Sequence, residues 1–477
     1  MLYFLKLVLL FFLCNNLFVY NVFTQIYHYE TGEIIPIAKN DTLLIKHGVF
    51  KGYDADYCTL IVKENRTKAH PRLINLPVIR VKSLSKTPLE PIFLLNGGPG
   101  KSNIWDDMFP EWLLSSHDII MVGYRGIEGS VILDAPEIKS FLKKTYKPLS
   151  DNNYNNLKTL WLQVFERYNK ENIDLSGYNL EEVVEDIESV RKFLKYDKIN
   201  LFSFSYGTML SQLYCLNYNE HLNKIVMNNA RPLGYVNFES NIIESQLEYI
   251  NNLGTQNSLC NKKSQDIKLL FENILNDIDK INTPHPIDTD KLKLIIFKKL
   301  NSVTNYNYIF ESLLLANNGY YDNLYELESQ FYDEFISDLV LGDCIMKRFS
   351  NYPVNNTTNN QKHNLGNELA KINNRYWNII NNEDINITVN SVYKINNCNI
   401  PSLFVSGSID FSAPVEYVKN VLLPKFKNGK LVIINECGHQ DIMTEQENAY
   451  KNLIINYFDN NIIDTSLFIY KPIDFCR

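Results

Sequence analysis

The stretch Ile199-Asn-Leu-Phe-Ser203-Phe-Ser205-Tyr206-Gly207-Thr208 decides how this 477-residue chain is read. Ile199–Phe204 is a short apolar run of buried-strand character, and Met209–Tyr218 suits a helix. A serine on so tight a strand-to-helix turn has its hydroxyl thrust out of the sheet, where a substrate can meet it. A hydroxyl is a weak nucleophile until a base takes its proton, so the pattern calls for an acid and a histidine further along. Asp410 follows the strand-like Ser402–Val405, and His439 follows Leu431–Ile434. No other histidine lies beyond Asp410. The expected catalytic residues are therefore Ser205 as nucleophile, His439 as base and Asp410 as the group that orients it.

Acyl transfer places negative charge on a carbonyl oxygen, which needs N–H donors aimed at it in advance. Pro91–Leu95 reads as a strand ending in Asn96-Gly97-Gly98-Pro99-Gly100. The expected oxyanion donors are the backbone N–H groups of Tyr206 and of Gly98, with Gly97 the alternative. A phosphate-cradling loop is excluded, because no Lys-Ser/Thr follows at the required spacing and Pro99 lacks a donor. Arg125, after the strand Ile119–Gly123, is expected in a structural ion pair. Tyr124 and Trp105 suit either the pocket wall or the core. Cys437 has no elbow and is read as buried or bonded.

Strand signals also fall at Leu60–Val62, Leu76–Val81 and Ile225–Met227, and Asn179–Leu194 has helical spacing with acids on the opposite face. From about residue 234 to 397 the pattern becomes helical, over Ile242–Leu253, Ile267–Ile278, Leu292–Leu300, Tyr308–Leu315, Leu324–Leu339 and Leu369–Ile380. This predicts an α/β fold with a mostly parallel central sheet, helices on both faces and a large helical cap inserted between core strands. The expected division is 1–24 as a signal peptide, 25–233 and 398–477 as the core, and 234–397 as the cap. An independent helical domain is the alternative.

A net charge of −7 argues against nucleic-acid partners. Lys6, the apolar Leu7–Leu13 and the polar Asn15-Asn16 resemble an export signal too short to span a bilayer. This predicts a secreted or periplasmic protein without stable membrane insertion once the leader is removed, a retained anchor being the alternative. Seven of the eight cysteines then remain, so at least one is free or pairs between molecules, and some disulfides are expected. No metal-ligand spacing and no cofactor motif occurs, so neither metal nor cofactor is expected. The asparagine clusters at Asn152–Asn156, Asn355–Asn360 and Asn381–Asn386 are read as loops. Asn65 and Asn356 head glycosylation-type triplets. Oligomeric state has no sequence signature here.

Several segments together resemble the proline iminopeptidase and tripeptidyl aminopeptidase branch of the α/β-hydrolases. They are Tyr57-Cys58-Thr-Leu-Ile-Val-Lys-Glu64-Asn65-Arg66, Asn96-Gly-Gly-Pro-Gly100, Val122-Gly-Tyr-Arg125-Gly-Ile-Glu-Gly-Ser130, Ser203-Phe-Ser205-Tyr-Gly207-Thr208, Gly407-Ser-Ile-Asp410 and Gly438-His439. The resemblance implies the α/β-hydrolase fold and an exported serine exopeptidase acting on short peptides from the amino end. It also implies Ser205, Asp410 and His439 as the triad, with the Gly97-Gly98 loop at the oxyanion site. Two positions depart from it: Asn96 stands where iminopeptidases carry histidine, and Ser203 replaces the elbow's leading glycine. An amino-group anchor is expected among cap acids such as Glu239, Glu244, Glu248, Glu311, Glu326 and Glu328. The alternatives are a carboxylic-ester hydrolase on the same triad and a catalytically silent binding protein.

Overall fold

The computed structural model describes residues 42–104, 109–256, 266–278, 286–350, 364–385 and 397–475. The expected leader, Cys14, Trp105, Cys260, Cys476 and Asn356 lie outside them.

The strands are β1 (Thr42–Phe50), β2 (Tyr53–Lys63), β3 (Leu73–Val81), β4 (Leu89–Leu95), β5 (His117–Val122), a small pair β6 (Arg125–Gly126) and β7 (Glu128–Ile132), β8 (Ile199–Phe204), β9 (Leu222–Asn228), β10 (Ser402–Gly407) and β11 (Gly429–Ile434). Nine of them form one sheet in the order β1-β2-β3-β5-β4-β8-β9-β10-β11. The pairs from β1 to β5 are antiparallel, and every pair from β5 to β11 is parallel. Parallel strands are buried on both faces, which is why β8 and β10 read as near-continuous apolar runs.

Alternate side chains serve opposite faces of the sheet. Phe93, Leu95 and Leu201 share a core with helices α3 (Leu180–Phe193) and α4 (Tyr206–Asn217), described with the helices below. Ile92, Leu94 and Phe202 instead share one with Tyr450, Leu453 and Tyr457 of the final helix. Chain order reverses around β4, which has β5 on one side and β8 on the other. At such a switch point the loops leaving the carboxyl ends diverge and open a crevice. Leu95 pairs with Ser203, so the Asn96 loop and Ser205 emerge side by side.

Helices α1 (Pro136–Lys144) and α2 (Asp151–Lys170) precede α3 and α4. The loop expected at Asn152–Asn156 is instead the opening of α2. Leu157, Trp161, Val164, Phe165 and Tyr168 repeat at helical spacing and are buried, and that burial outweighs the weak helix propensity of asparagine. Between β9 and β10 come α5 (Ser240–Gln256), α6 (Ile267–Asp277), α7 (Thr289–Lys299), α8 (Tyr306–Asn317), α9 (Asp322–Gln330), α10 (Leu341–Ser350) and α11 (Leu365–Trp377). The single helix expected over Leu324–Leu339 is broken: α9 ends at Gln330 and a π-turn, Phe331–Ile336, buries both of its end residues. Trp161 of α2 shares a core with Leu294 of α7, Ile345 of α10 and Tyr376 of α11. The helical layer is thus drawn from two separate stretches of chain. A second helical core takes in Ile409 and Phe411, which flank Asp410.

Strand β1, absent from the sequence reading, is an edge strand with mostly exposed side chains, so it carries little hydrophobic alternation. The last helix, α12, spans Glu447–Asn460. A disulfide joins Cys215 of α4 to Cys398 before β10, across 183 residues of chain. Cys58, Cys344 and Cys437 are free and buried. Asn65 is buried too, its amide donating to Asp174 Oδ2 (2.9 Å) and Ser176 Oγ (3.0 Å), so the fold withdraws that asparagine from the surface. Among the described residues, no helix is long and apolar enough to cross a membrane.

Candidate active site

Ser205 sits between β8 and α4 with φ 50° and ψ −117°, a conformation that costs a non-glycine residue strain and persists only when its surroundings enforce it. Here they do. Its N–H donates to Asn228 O (3.0 Å), and its carbonyl accepts from Thr208 Oγ1 (2.6 Å) and from Thr208 N–H (2.9 Å). Gly207 must be glycine, because a Cβ there would lie 2.1 Å from Leu95 O. The leading elbow position is less demanding. Ser203 is buried in β8 and donates its hydroxyl to Val226 O (2.9 Å), so the polar atom is satisfied and serine replaces glycine without a clash.

Asp410 and His439 arrive from the ends of β10 and β11. His439 Nε2 stands 2.9 Å from Ser205 Oγ, and Nδ1 stands 2.7 Å from Asp410 Oδ2. The other carboxylate oxygen, Oδ1, accepts from Ser412 N–H (2.8 Å) and Ala413 N–H (2.6 Å). Asp410 is therefore an acceptor to both sides, which requires the imidazole proton on Nδ1 and leaves the Nε2 lone pair toward the hydroxyl. The phenyl ring of Phe204 packs 5.1 Å from the His439 ring. The backbone around both groups is also held: Asn229 Nδ2 donates to His439 O (2.6 Å), and Gln246 Nε2 of α5 donates to Asp410 O (2.9 Å). Asp441 accepts from Gly438 N–H (2.7 Å), Ser302 Oγ (2.6 Å) and Val303 N–H (2.9 Å), tying the histidine turn to the helical layer.

The Asn96 loop lies against the elbow. A Cβ on Gly97 would be 3.2 Å from Ser205 Cβ. Asn96 folds its amide back onto the loop, accepting from Gly97 N–H (2.7 Å) and donating to Ser102 O (2.8 Å). That leaves Gly97 N–H engaged, whereas no described residue accepts from Gly98 N–H. Tyr206 is the first residue of α4, so its N–H lies at the open amino end of that helix, beside Ser205. Tyr124 is buried edge-on to Tyr206, ring centroids 5.8 Å apart, and donates its hydroxyl to Asn96 O (3.2 Å). Cys437 is buried, with its thiol pushed up to about 12 by that burial, which leaves it inert as a nucleophile.

Two supports, Glu128 and Asp343, carried no sequence signal of their own, and a third, Arg125, carried only a partial one. Glu128, buried, accepts from Ser102 Oγ (2.5 Å), Asn103 N–H (2.7 Å), Ile104 N–H (3.4 Å) and Tyr124 N–H (2.7 Å), binding the Asn96 loop to the end of β5. Asp343 of α10 accepts from Gly100 N–H (3.1 Å) and pairs with Lys347 (3.1 Å), both side chains being buried. Arg125 lies fully buried in a bidentate pair with Asp186, both contacts 2.7 Å. Only its type, a structural ion pair, was legible from sequence.

Glu128→Gln is expected to loosen the loop. Glutamine offers one acceptor oxygen to four donors, so at least one buried N–H loses its partner, at about 1–3 kcal/mol. Burial pushes the Glu128 carboxyl up to about 7 from 4.5, against the pull of its donors. The folded state then holds this proton more tightly than the unfolded chain, so this group's contribution to stability falls as pH rises from 4.5 to 7. Urea unfolding of both proteins should show a wider margin for the wild type at pH 5 than at pH 8.

A family profile described as alpha/beta hydrolase fold matches residues 90–254, which run from β4 through the elbow into α5. The chain has the α/β-hydrolase fold. A proline iminopeptidase of Chitinophaga pinensis is 29% identical over 103 residues, 20% of this chain and 34% of that protein. The alignment thus spans about a third of the curated relative's length. Solved α/β-hydrolase structures that resemble the chain include an esterase from Exiguobacterium antarcticum, with TM-score 0.36 and 13% identity over 81% of this chain and 96% of that one. Another is a meta-cleavage product hydrolase from Pseudomonas fluorescens, with TM-score 0.37 and 12% identity over 81% and 96% of the two chains.

Proposed function

We propose that this protein is an exported serine peptidase that releases amino-terminal residues or short peptides through an acyl-enzyme. The observation that carries the reading is the single imidazole bridging Ser205 Oγ and the buried Asp410 carboxylate. In the proposed cycle His439 Nε2 takes the Ser205 proton as Oγ attacks the scissile carbonyl. Asp410 holds the Nδ1–H tautomer and stabilises the imidazolium. The carbonyl oxygen, now negative, is met by the N–H groups of Gly98 and Tyr206. His439 then gives its proton to the leaving amine, and water repeats the attack to free the acid.

Support for a peptide substrate comes from the partial similarity to a proline iminopeptidase and from the motif resemblance. Residues 234–397 act as a cap in this reading, with Gln246, Asn301 and Ser302 joining helices to the loops of Asp410 and His439. Of the six acids considered for the amino anchor, Glu239 is the one held by the Asp410 segment, accepting from Tyr417 Oη (3.0 Å). Export is supported by the leader-like start of the sequence and by the Cys215–Cys398 bond, since disulfides persist in oxidising compartments.

Chromogenic aminoacyl and tripeptidyl amides should be turned over, and N-acetylation of the same compounds should lower kcat/KM by roughly tenfold or more, as expected for losing one charged contact. Short acyl esters of p-nitrophenol are the comparison. Turnover of esters alone would replace the peptide reading by an ester hydrolase.

A further inference from the structure

Nine arginines lie among the described residues, and seven of them have a carboxylate oxygen within 3.1 Å. The two exceptions, Arg231 and Arg348, meet at one turn. Arg231 Nε donates to Tyr235 O, and its Nη2 to Asn237 O (3.2 Å). From the other side, Arg348 Nη1 donates to Val236 O (2.7 Å) and Nη2 to Asn237 Oδ1 (2.7 Å). Asn378 Oδ1 accepts from Arg348 Nε (3.0 Å) and Nη2 (2.8 Å). All of these acceptors are neutral. Among the described residues neither guanidinium has a carboxylate within ion-pair distance, Asp410 and Glu239 acting on Arg231 only at longer range, and two half-buried like charges so placed are costly to hold, because burial weakens the screening between them. Burial and the charge of Arg231 together push the Arg348 guanidinium down to about 9.

Donors remain. A guanidinium carries five N–H groups, and Arg231 uses two of them on described acceptors. Their placement relates them to the site. Arg231 follows β9 by three residues, and its own N–H donates to Thr208 Oγ1 (3.1 Å), the hydroxyl that holds Ser205 O. Arg348 lies on α10 five residues beyond Asp343, which holds Gly100, a rise of about 7.5 Å along the helix. The segment that follows α10, residues 351–363, contains no acidic residue that could serve as partner.

We propose that Arg231 and Arg348 form a carboxylate-binding subsite for the peptide substrate, taking either its terminal α-carboxylate or an acidic side chain. This rests on the peptide reading of the site. A carboxylate placed between the two forks supplies the directly bonded negative charge that neither has and accepts charge-assisted hydrogen bonds from both. Peptides with a carboxylate at that distance from the scissile bond are then favoured over neutral ones.

The test uses the Ser205→Ala protein and calorimetric binding of three probes: Ala-Ala-Ala, Ala-Ala-Ala-amide and Ala-Ala-Glu-amide. At least one carboxylate-bearing probe should bind roughly tenfold or more tightly than the neutral amide, the effect of a charged hydrogen bond. Adding Arg348→Met should remove that preference, and Arg348→Lys, which keeps the charge but loses the fork, should restore part of it. Arg231→Met gives an independent check if the Arg348 variants do not fold. Equal binding of all three probes, binding of none, or a preference that survives both methionine variants overturns the subsite. Wild-type turnover of alanyl-alanyl-alanine p-nitroanilide, measured separately, reports on the peptide reading itself, so the two failures are distinguishable.

Discussion

Ser205→Ala is expected to lower kcat/KM on any accepted substrate by on the order of 10⁴-fold or more, with the folded state intact. In the proposed cycle the alcohol is the group that forms the covalent bond, and water left in its place lacks both position and activation. His439→Ala should cost about as much, because the hydroxyl at 2.9 Å then keeps its proton. The double variant should be no worse than either single one, since the two groups act as a unit. Asp410→Asn should cost less. An asparagine amide facing Nδ1 can donate to it, which favours the tautomer with its proton on Nε2, so the base meets the serine with the wrong face. A fluorophosphonate probe checks the assignment directly: it should label the wild type and spare Ser205→Ala. Failure to label the folded wild type would favour a silent binding protein.

Arg125→Met should have the largest effect on stability, about 3–5 kcal/mol. The guanidinium is fully buried and donates to both oxygens of Asp186, to Glu64 O (2.7 Å) and to Gly177 O (2.8 Å), with Glu182 Oε2 at 3.1 Å. Methionine fills similar volume but leaves two carboxylates sharing only Arg66, and two carbonyls without a donor. Typical domains hold roughly 5–15 kcal/mol in total, so the loss takes a large fraction of that margin. Arg125→Lys, which keeps a charge but cannot fork, should fall between. Chemical denaturation midpoints check both, and a change below about 1 kcal/mol for the methionine variant would contradict the role given to this pair.

The sequence alone determined the elbow and its partners. Ser205, Asp410 and His439 each follow an apolar run that reads as a strand, and in a parallel sheet all carboxyl ends lie along one edge. Topology then brings together residues 205 and 234 positions apart from their partners, with no need for local contact. The same logic explains why Gly207 was legible: β4 passes so close that no side chain fits. Strand β1 escaped because an exposed edge leaves no alternation to read. Helix α2 escaped because its polar residues outnumber the five buried ones that decide its conformation.

Tertiary structure alone decided what holds the site in place. Glu128, Asp343, Asn229 and Asp441 are polar residues whose partners lie between 3 and 243 positions away, so nothing in their immediate sequence marks them as different from solvated ones. The same is true of Arg231 and Arg348, 117 residues apart in sequence. Periodicity records which side chains avoid water, because that is a property of one segment; it is silent on which buried charge meets which donor, because that depends on how segments cross.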